Sequence, residues 1–119
     1  MELASPGISV QRLLDLVRRG QRSRGRLVSS ATTLTAGDDT VLVDTSGGSV
    51  TITLPLAADN PGQRFDVKKM AAANTCTVQR SGTDTIDGAT SNAWTTQYQS
   101  KTFEAQITSA PATWNWVIL

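Results

Sequence analysis

The sequence predicts a mainly β fold, an antiparallel β-sandwich or barrel-like domain preceded by a short N-terminal helix and a basic arm. Three observations carry that expectation. Apolar and polar residues alternate in several short runs, most clearly in Val50-Thr51-Ile52-Thr53-Leu54, and side chains alternate faces along an extended strand. Turn-forming clusters such as Ser46-Gly47-Gly48, Asn60-Pro61-Gly62 and Asp87-Gly88 punctuate those runs. Threonine and serine are abundant, and the apolar residues are largely Val, Ile and Leu, a composition that suits pleated sheets. A chain of 119 residues fits one domain with a modest core.

Ser5-Pro6-Gly7 is a breaker cluster that predicts an extended lead-in. Ser9 can cap the amides of a following helix, and Val10, Leu13, Leu14 and Val17 fall at i, i+3, i+4 and i+7 to form one apolar stripe. Gly20 after Arg18 and Arg19 is a C-terminal signal, so the predicted helix is about 10 residues, too short to be stable alone. Gln21 to Arg26 contains no apolar residue and reads as an arm. Residues 1–26 thus form an attachment segment, and 27–119 the β domain.

Within that domain, Leu34 lies on a short first strand and Ala36-Gly37-Asp38-Asp39 makes a turn. Residues 40–54 predict a hairpin whose tip is Gly47-Gly48, closed by Leu54-Pro55. Phe65 and Val67 point inward from the next strand, and Cys76 and Val78 from the one after it. Ile86 precedes an Asp-Gly turn. Residues 89–99 are poorly patterned and predict a surface crossing with Trp94 and Tyr98 as aromatic anchors. Phe103, Ala105 and Ile107 share one face of a late strand, and Trp114, Trp116 and Ile118 one face of the last.

The net charge of +1 conceals an uneven distribution. Residues 1–26 carry Arg12, Arg18, Arg19, Arg22, Arg24 and Arg26 against Glu2 and Asp15, whereas the remainder is acidic. With no histidine, His-based metal sites and Ser-His-Asp or Cys-His catalytic arrangements are excluded. Cys76 is the single cysteine, so no intrachain disulfide can form. No apolar run approaches the roughly 20 residues of a membrane-spanning helix, and the N-terminus lacks the pattern of a signal peptide, so no membrane association is expected and assembly in a cytoplasm is.

Several segments resemble a small β domain of tailed-bacteriophage virion proteins. They are Asp44-Thr-Ser-Gly-Gly48, Thr51-Ile-Thr-Leu-Pro55, Gly62-Gln-Arg-Phe-Asp-Val-Lys-Lys69, Asp84-Thr-Ile-Asp-Gly88, Gln97-Tyr-Gln-Ser100 and Trp114-Asn-Trp-Val-Ile118. Domains of that type occur in tail fibres, head fibres and capsid decoration proteins, usually as homotrimers. The resemblance covers about two thirds of the chain, implies no catalytic residue and no cofactor, and leaves residues 1–26 to supply attachment. It implies a virion structural protein, most simply a capsid decoration, cement or head-fibre protein bound to the major capsid protein or another virion protein. A short tail or collar fibre, or a host-glycan-binding module, is the alternative.

The partner-binding residues expected are Val10, Leu13, Leu14, Val17, Arg18, Arg19, Arg22, Arg24 and Arg26. The apolar stripe has two readings: docking on another subunit or the particle surface, or packing on its own β domain. The arginines form a solvated linker or meet an acidic protein surface. Nucleic acid is not the expected partner, because the arm has no aromatic residue to stack on bases. Trp114, Trp116 and Ile118 are expected in the core or an oligomer interface, while Trp94 and Tyr98 are the residues a glycan could use. Asp44, Asp84 and Asp87 lack the spacing of an EF-hand and read as turn formers, and Cys76 as a small buried residue.

Overall fold

The computed structural model describes residues 25–119. The helix expected after Ser9 and the arginine arm as far as Arg24 lie outside the described residues. Among the described residues the strands are β1 (Gly25–Val28), β2 (Thr32–Thr33), β3 (Thr40–Val43), β4 (Val50–Thr53), β5 (Arg64–Lys69), β6 (Cys76–Gln79), β7 (Ser91–Trp94), β8 (Ser100–Ser109) and β9 (Thr113–Ile118). A single 3-10 turn, Ala57–Asp59, joins β4 to β5. The domain is mainly β, as its alternating runs predict.

Strand pairing differs from the antiparallel expectation. Five strands form sheet I in the order β1-β3-β5-β8-β9, and four form sheet II in the order β2-β4-β6-β7. The first six strands alternate between the sheets, so every circuit of the chain adds one parallel strand to each. Only afterwards does the direction reverse: β7 pairs antiparallel with β6, β8 with β5, and β9 with β8. Both sheets are therefore mixed.

The predicted hairpin over residues 40–54 is accordingly not formed. Its two strands, β3 and β4, exist but belong to different sheets, and each pairs with strands one circuit away. Alternation identifies a strand and its buried face but not the strand beside it. The six residues 44–49 make a corner instead of a tip. Asp44 accepts the Ser46 amide at 2.9 Å, and the buried Thr45 hydroxyl donates to the Ala73 carbonyl at 2.6 Å.

That last bond ties the corner to the equivalent corner of the next circuit. Thr40 pairs with Asp66 and Val50 with Cys76, an offset of 26 residues that is the same in both sheets. Residues 40–53 and 66–79 therefore form one repeated strand-corner-strand unit. Gly48 (φ 156°) and Asn74 (φ 66°) occupy the same place in the two corners, and the Asn74 side-chain amide donates to the Thr45 carbonyl at 2.7 Å. Sequence identity between the two units is too low to announce the repeat: Val41 matches Val67 and Thr51 matches Thr77, but Val43 faces Lys69.

The inner faces of the two sheets meet in one core. Val41, Val43, Phe65, Val67, Phe103, Ala105 and Trp116 come from sheet I, and Val50, Ile52, Cys76, Val78 and Trp94 from sheet II. Two expectations fail at its margins. Residues 89–99 are not a surface crossing: Ser91–Trp94 is β7, and Trp94 is buried with its ring 6.4 Å from that of Phe103. Ile107 is 51% exposed although it follows the alternation of Phe103 and Ala105. β5 accompanies β8 only as far as Glu104, so Ile107 lies on a hairpin that outruns the rest of its sheet.

Trp116 closes the core. Its ring centroid is 5.5 Å from that of Phe65, and its indole N–H donates to the Pro55 carbonyl at 3.0 Å. Trp116→Ala is expected to cost about 3–5 kcal/mol of unfolding free energy. Trp114→Ala, which truncates a half-buried ring, should cost clearly less. Denaturant titration of both variants checks this; equal losses would contradict Trp116 as the closing residue.

Candidate attachment and interface surfaces

Of the nine expected partner-binding residues, only Arg26 is among the described residues. It lies on β1, inside the β domain, and its guanidinium Nη1 is 3.1 Å from Asp38 Oδ1. Asp38 also accepts the Thr35 amide at 2.9 Å, so the pair fixes the β2–β3 connection beside β1. Of the expected core or interface residues, Trp116 is wholly buried, and Trp114 and Ile118 are half-buried against the same core.

The outer faces of the two sheets differ in chemistry. On sheet II the outward positions are Thr33, Thr51, Thr53, Thr77, Gln79, Ser91 and Ala93, and none is charged. Gln79 donates to the Thr53 hydroxyl at 2.8 Å across the strands. On sheet I, Arg64 donates to Glu104 Oε2 through Nη2 at 2.6 Å and Nε at 3.0 Å, and Thr102 donates to Asp66 at 2.5 Å. Hydrogen bonds from Arg64 and then Gln106 hold the Glu104 carboxyl below its ordinary value.

Sheet I also carries a cross-strand row, two leucines and a lysine, that sequence reading missed. Leu27, Leu42 and Lys68 are in register on β1, β3 and β5, and Leu27 is 67% exposed. Lys68 in turn places its ammonium 5.7 Å from the ring centroid of Tyr98, which is 58% exposed. Tyr98 has φ 65°, a conformation that a bulky residue adopts only under constraint. The constraint is visible. The Tyr98 amide donates to the Lys69 carbonyl at 2.7 Å, the Lys69 amide to the Gln99 carbonyl at 3.1 Å, and the Trp94 indole to that same carbonyl at 3.1 Å.

The edges of sheet I are unlike one another as well. β9 is covered by the preceding loop: the Trp116 amide donates to Thr85, the Asp87 amide to Trp116, and the Ile118 amide to the Asp87 carboxylate. β1 is the other edge, and no described strand lies beyond it.

One end of the core contains two lysines. Lys69 is fully buried and donates its ammonium protons to the carbonyls of Ala71 and Ala73, so the cation organises the 70–75 corner from inside. Lys101 donates to Asn92 at 2.7 Å and lies 5.0 Å from the Trp94 ring centroid. Neither inward position was legible, because a lysine there breaks the apolar pattern; Lys69 is buried and Lys101 half-buried.

The aspartates that invite acid–base chemistry accept backbone amides instead. Asp44 serves Ser46, Asp84 serves Ala57 at 2.8 Å, and Asp87 serves Ile118 at 3.2 Å. Among the described residues no group of three or more Cys, Asp or Glu is placed to hold a metal ion, and no helix is long and apolar enough to cross a membrane. Searches with this chain find no matching family model and no matching curated protein.

Cys76 gives this end of the core a measurable signature. Burial pushes its thiol from an ordinary value of 9.0 up to about 11, against the opposing pull of the Lys69 and Lys101 ammonium groups. The folded state therefore holds the proton more tightly than the unfolded state. The resulting stability is fully present below pH 9 and is lost as pH rises toward about 11. A two-unit shift corresponds to at most about 3 kcal/mol. Unfolding titrations of the native chain and of Cys76→Ala should diverge in that window; parallel curves would refute the assignment.

Proposed function

We propose that this protein is a structural component of a tailed-bacteriophage virion, a capsid decoration, cement or head-fibre protein that acts as a homotrimer. The reading rests first on the motifs in residues 44–118 that resemble the small β domain of such proteins. The observation that carries a scaffold role is the use of the carboxylates: Asp44, Asp84 and Asp87 each hold a backbone amide, so the polar groups of the domain maintain its loops. Residues 1–24, with five arginines against Glu2 and Asp15, differ in charge from the domain that follows and supply the attachment. Their apolar stripe and their arginines are the two contact elements available, and the partner is the major capsid protein or another virion protein with an acidic surface. Nucleic acid, membrane and cofactors have no part in the mechanism. The protein is assembled in the host cytoplasm and resides in the virion.

Attachment stabilises a shell by bridging neighbouring capsomers, because binding that exists only in the assembled state favours that state by mass action. Deleting residues 1–24 leaves β1 intact and should yield a folded domain that no longer joins particles; particle-bound protein after sedimentation is the readout. Particle imaging separates the locations. Copies spread over the capsid fit decoration, and copies confined to the tail or a single vertex would replace it with a tail or collar fibre.

One observation favours a glycan-binding reading in addition: Tyr98 is exposed on a constrained turn with Lys68 beside it. Trp94, the other aromatic considered, is buried and offers no platform. If Tyr98 binds sugars, Tyr98→Ala should abolish glycan-array signal without altering the unfolding midpoint, and silence of the native chain on the array removes this reading.

A further inference from the structure

Resting on the glycan-binding reading of Tyr98, we infer that the Tyr98 turn is a site for anionic sugars, in which the Tyr98 ring is the stacking platform and the Lys68 ammonium selects a negatively charged substituent. Two independent features of the described residues meet at this place.

The first is a strained conformation that the surrounding structure maintains. Tyr98 has φ 65°, in the left-handed region, where a tyrosine costs stability and a glycine does not. Hydrogen bonds over-determine the turn. The Tyr98 amide donates to the Lys69 carbonyl at 2.7 Å, the Gln99 amide to the Thr96 carbonyl at 3.3 Å, and the Gln97 side-chain amide to the Met70 carbonyl at 3.2 Å. The β7–β8 connection is thereby fixed to the end of β5. A buried ring would repay the strain by packing, but Tyr98 is 58% exposed. Strain of this kind concentrates at ligand sites.

The second feature is an uncommitted charge. Lys68 lies on the outer face of β5, with its ammonium 5.7 Å from the Tyr98 ring centroid. The ion pairs among the described residues are Arg26–Asp38 and Arg64–Glu104, so Lys68 has no carboxylate of its own. Asp66, on the same face, accepts the Thr102 hydroxyl at 2.5 Å. Leu42 and Ser100 flank Lys68 in register, and neither is charged.

Together these features define the class of ligand. An aromatic ring held at a rigid turn offers an apolar face to the C–H groups of a pyranose, with little conformational freedom lost on binding. The ammonium beside it attracts a carboxylate or sulfate on the sugar, a contact that a neutral sugar does not make. Lys68 is only half-buried, so the preference for the anion should weaken as salt rises.

A glycan array probed with the full-length chain at one low salt concentration tests the site, provided that it carries matched neutral, uronate-bearing and sulfated members. Acidic members are expected to bind at least about tenfold more tightly than their neutral counterparts, and the stronger acidic class identifies the anion. Lys68→Gln keeps every N-terminal arginine and should remove the preference while neutral binding persists; Lys68→Arg should restore it. Tyr98→Gly, which suits the left-handed backbone, should abolish binding without lowering the unfolding midpoint. Equal signals on neutral and acidic members overturn the charge selection and leave the glycan-binding reading standing. An acidic preference that survives Lys68→Gln also overturns it, and assigns the preference to the arginines of residues 1–24. Silence across the array overturns both.

Discussion

The fold depends on the position of one indole. Trp116 packs its ring, tilted, against Phe65 on the inner face of sheet I and donates to the carbonyl of Pro55, just past the end of β4 in sheet II. Its own amide and carbonyl hold Thr85 and Asp87. One residue near the C-terminus therefore joins the last strand, the β4–β5 connection and the 80–90 loop. A buried tryptophan requires a partner for its N–H, and the carbonyl of Pro55, beyond the end of β4, supplies it. The packing and the hydrogen bond specify one another, so the late strands lock what the early circuits wind.

Those circuits explain what was legible in the sequence and what was not. The buried faces of β4, β5 and β6 were readable, because Val50, Ile52, Phe65, Val67, Cys76 and Val78 alternate with polar residues in runs that no helix would accommodate. The partner of each strand was not readable. A Gly-rich corner that crosses between sheets and a Gly-rich hairpin tip share the same residue types, and only the pairing one circuit away distinguishes them. The 26-residue offset is the signal that could have decided it. It is concealed because Lys69 stands where Val43 stands one circuit earlier, with its ammonium answered by backbone carbonyls instead of by a carboxylate.

The surface was less legible than the core for a related reason. Leu27 follows an arginine-rich stretch and marks a boundary when read in sequence, yet in space it adjoins Leu42 and begins a row that ends near Tyr98. Trp94 and Tyr98 look equivalent in a poorly patterned segment. Pairing with β6 buries the first, while a turn held by three backbone-directed hydrogen bonds presents the second. Exposure is a property of topology, and a parallel winding places residues 15 or 26 positions apart side by side.

The same winding accounts for where the polar side chains of the described residues are used. Asp44, Asp84, Asp87, the Lys69 ammonium and the Trp116 indole are directed at backbone groups, most of them in corners and loops, where a wound chain has the most unpaired amides and carbonyls. Polar side chains used in this way hold the corners and loops, while the strand positions on the outer face of sheet II carry no charge among the described residues. Arg26 follows the same pattern: its guanidinium pairs with Asp38, which also accepts the Thr35 amide, so the pair holds the β2–β3 connection beside β1.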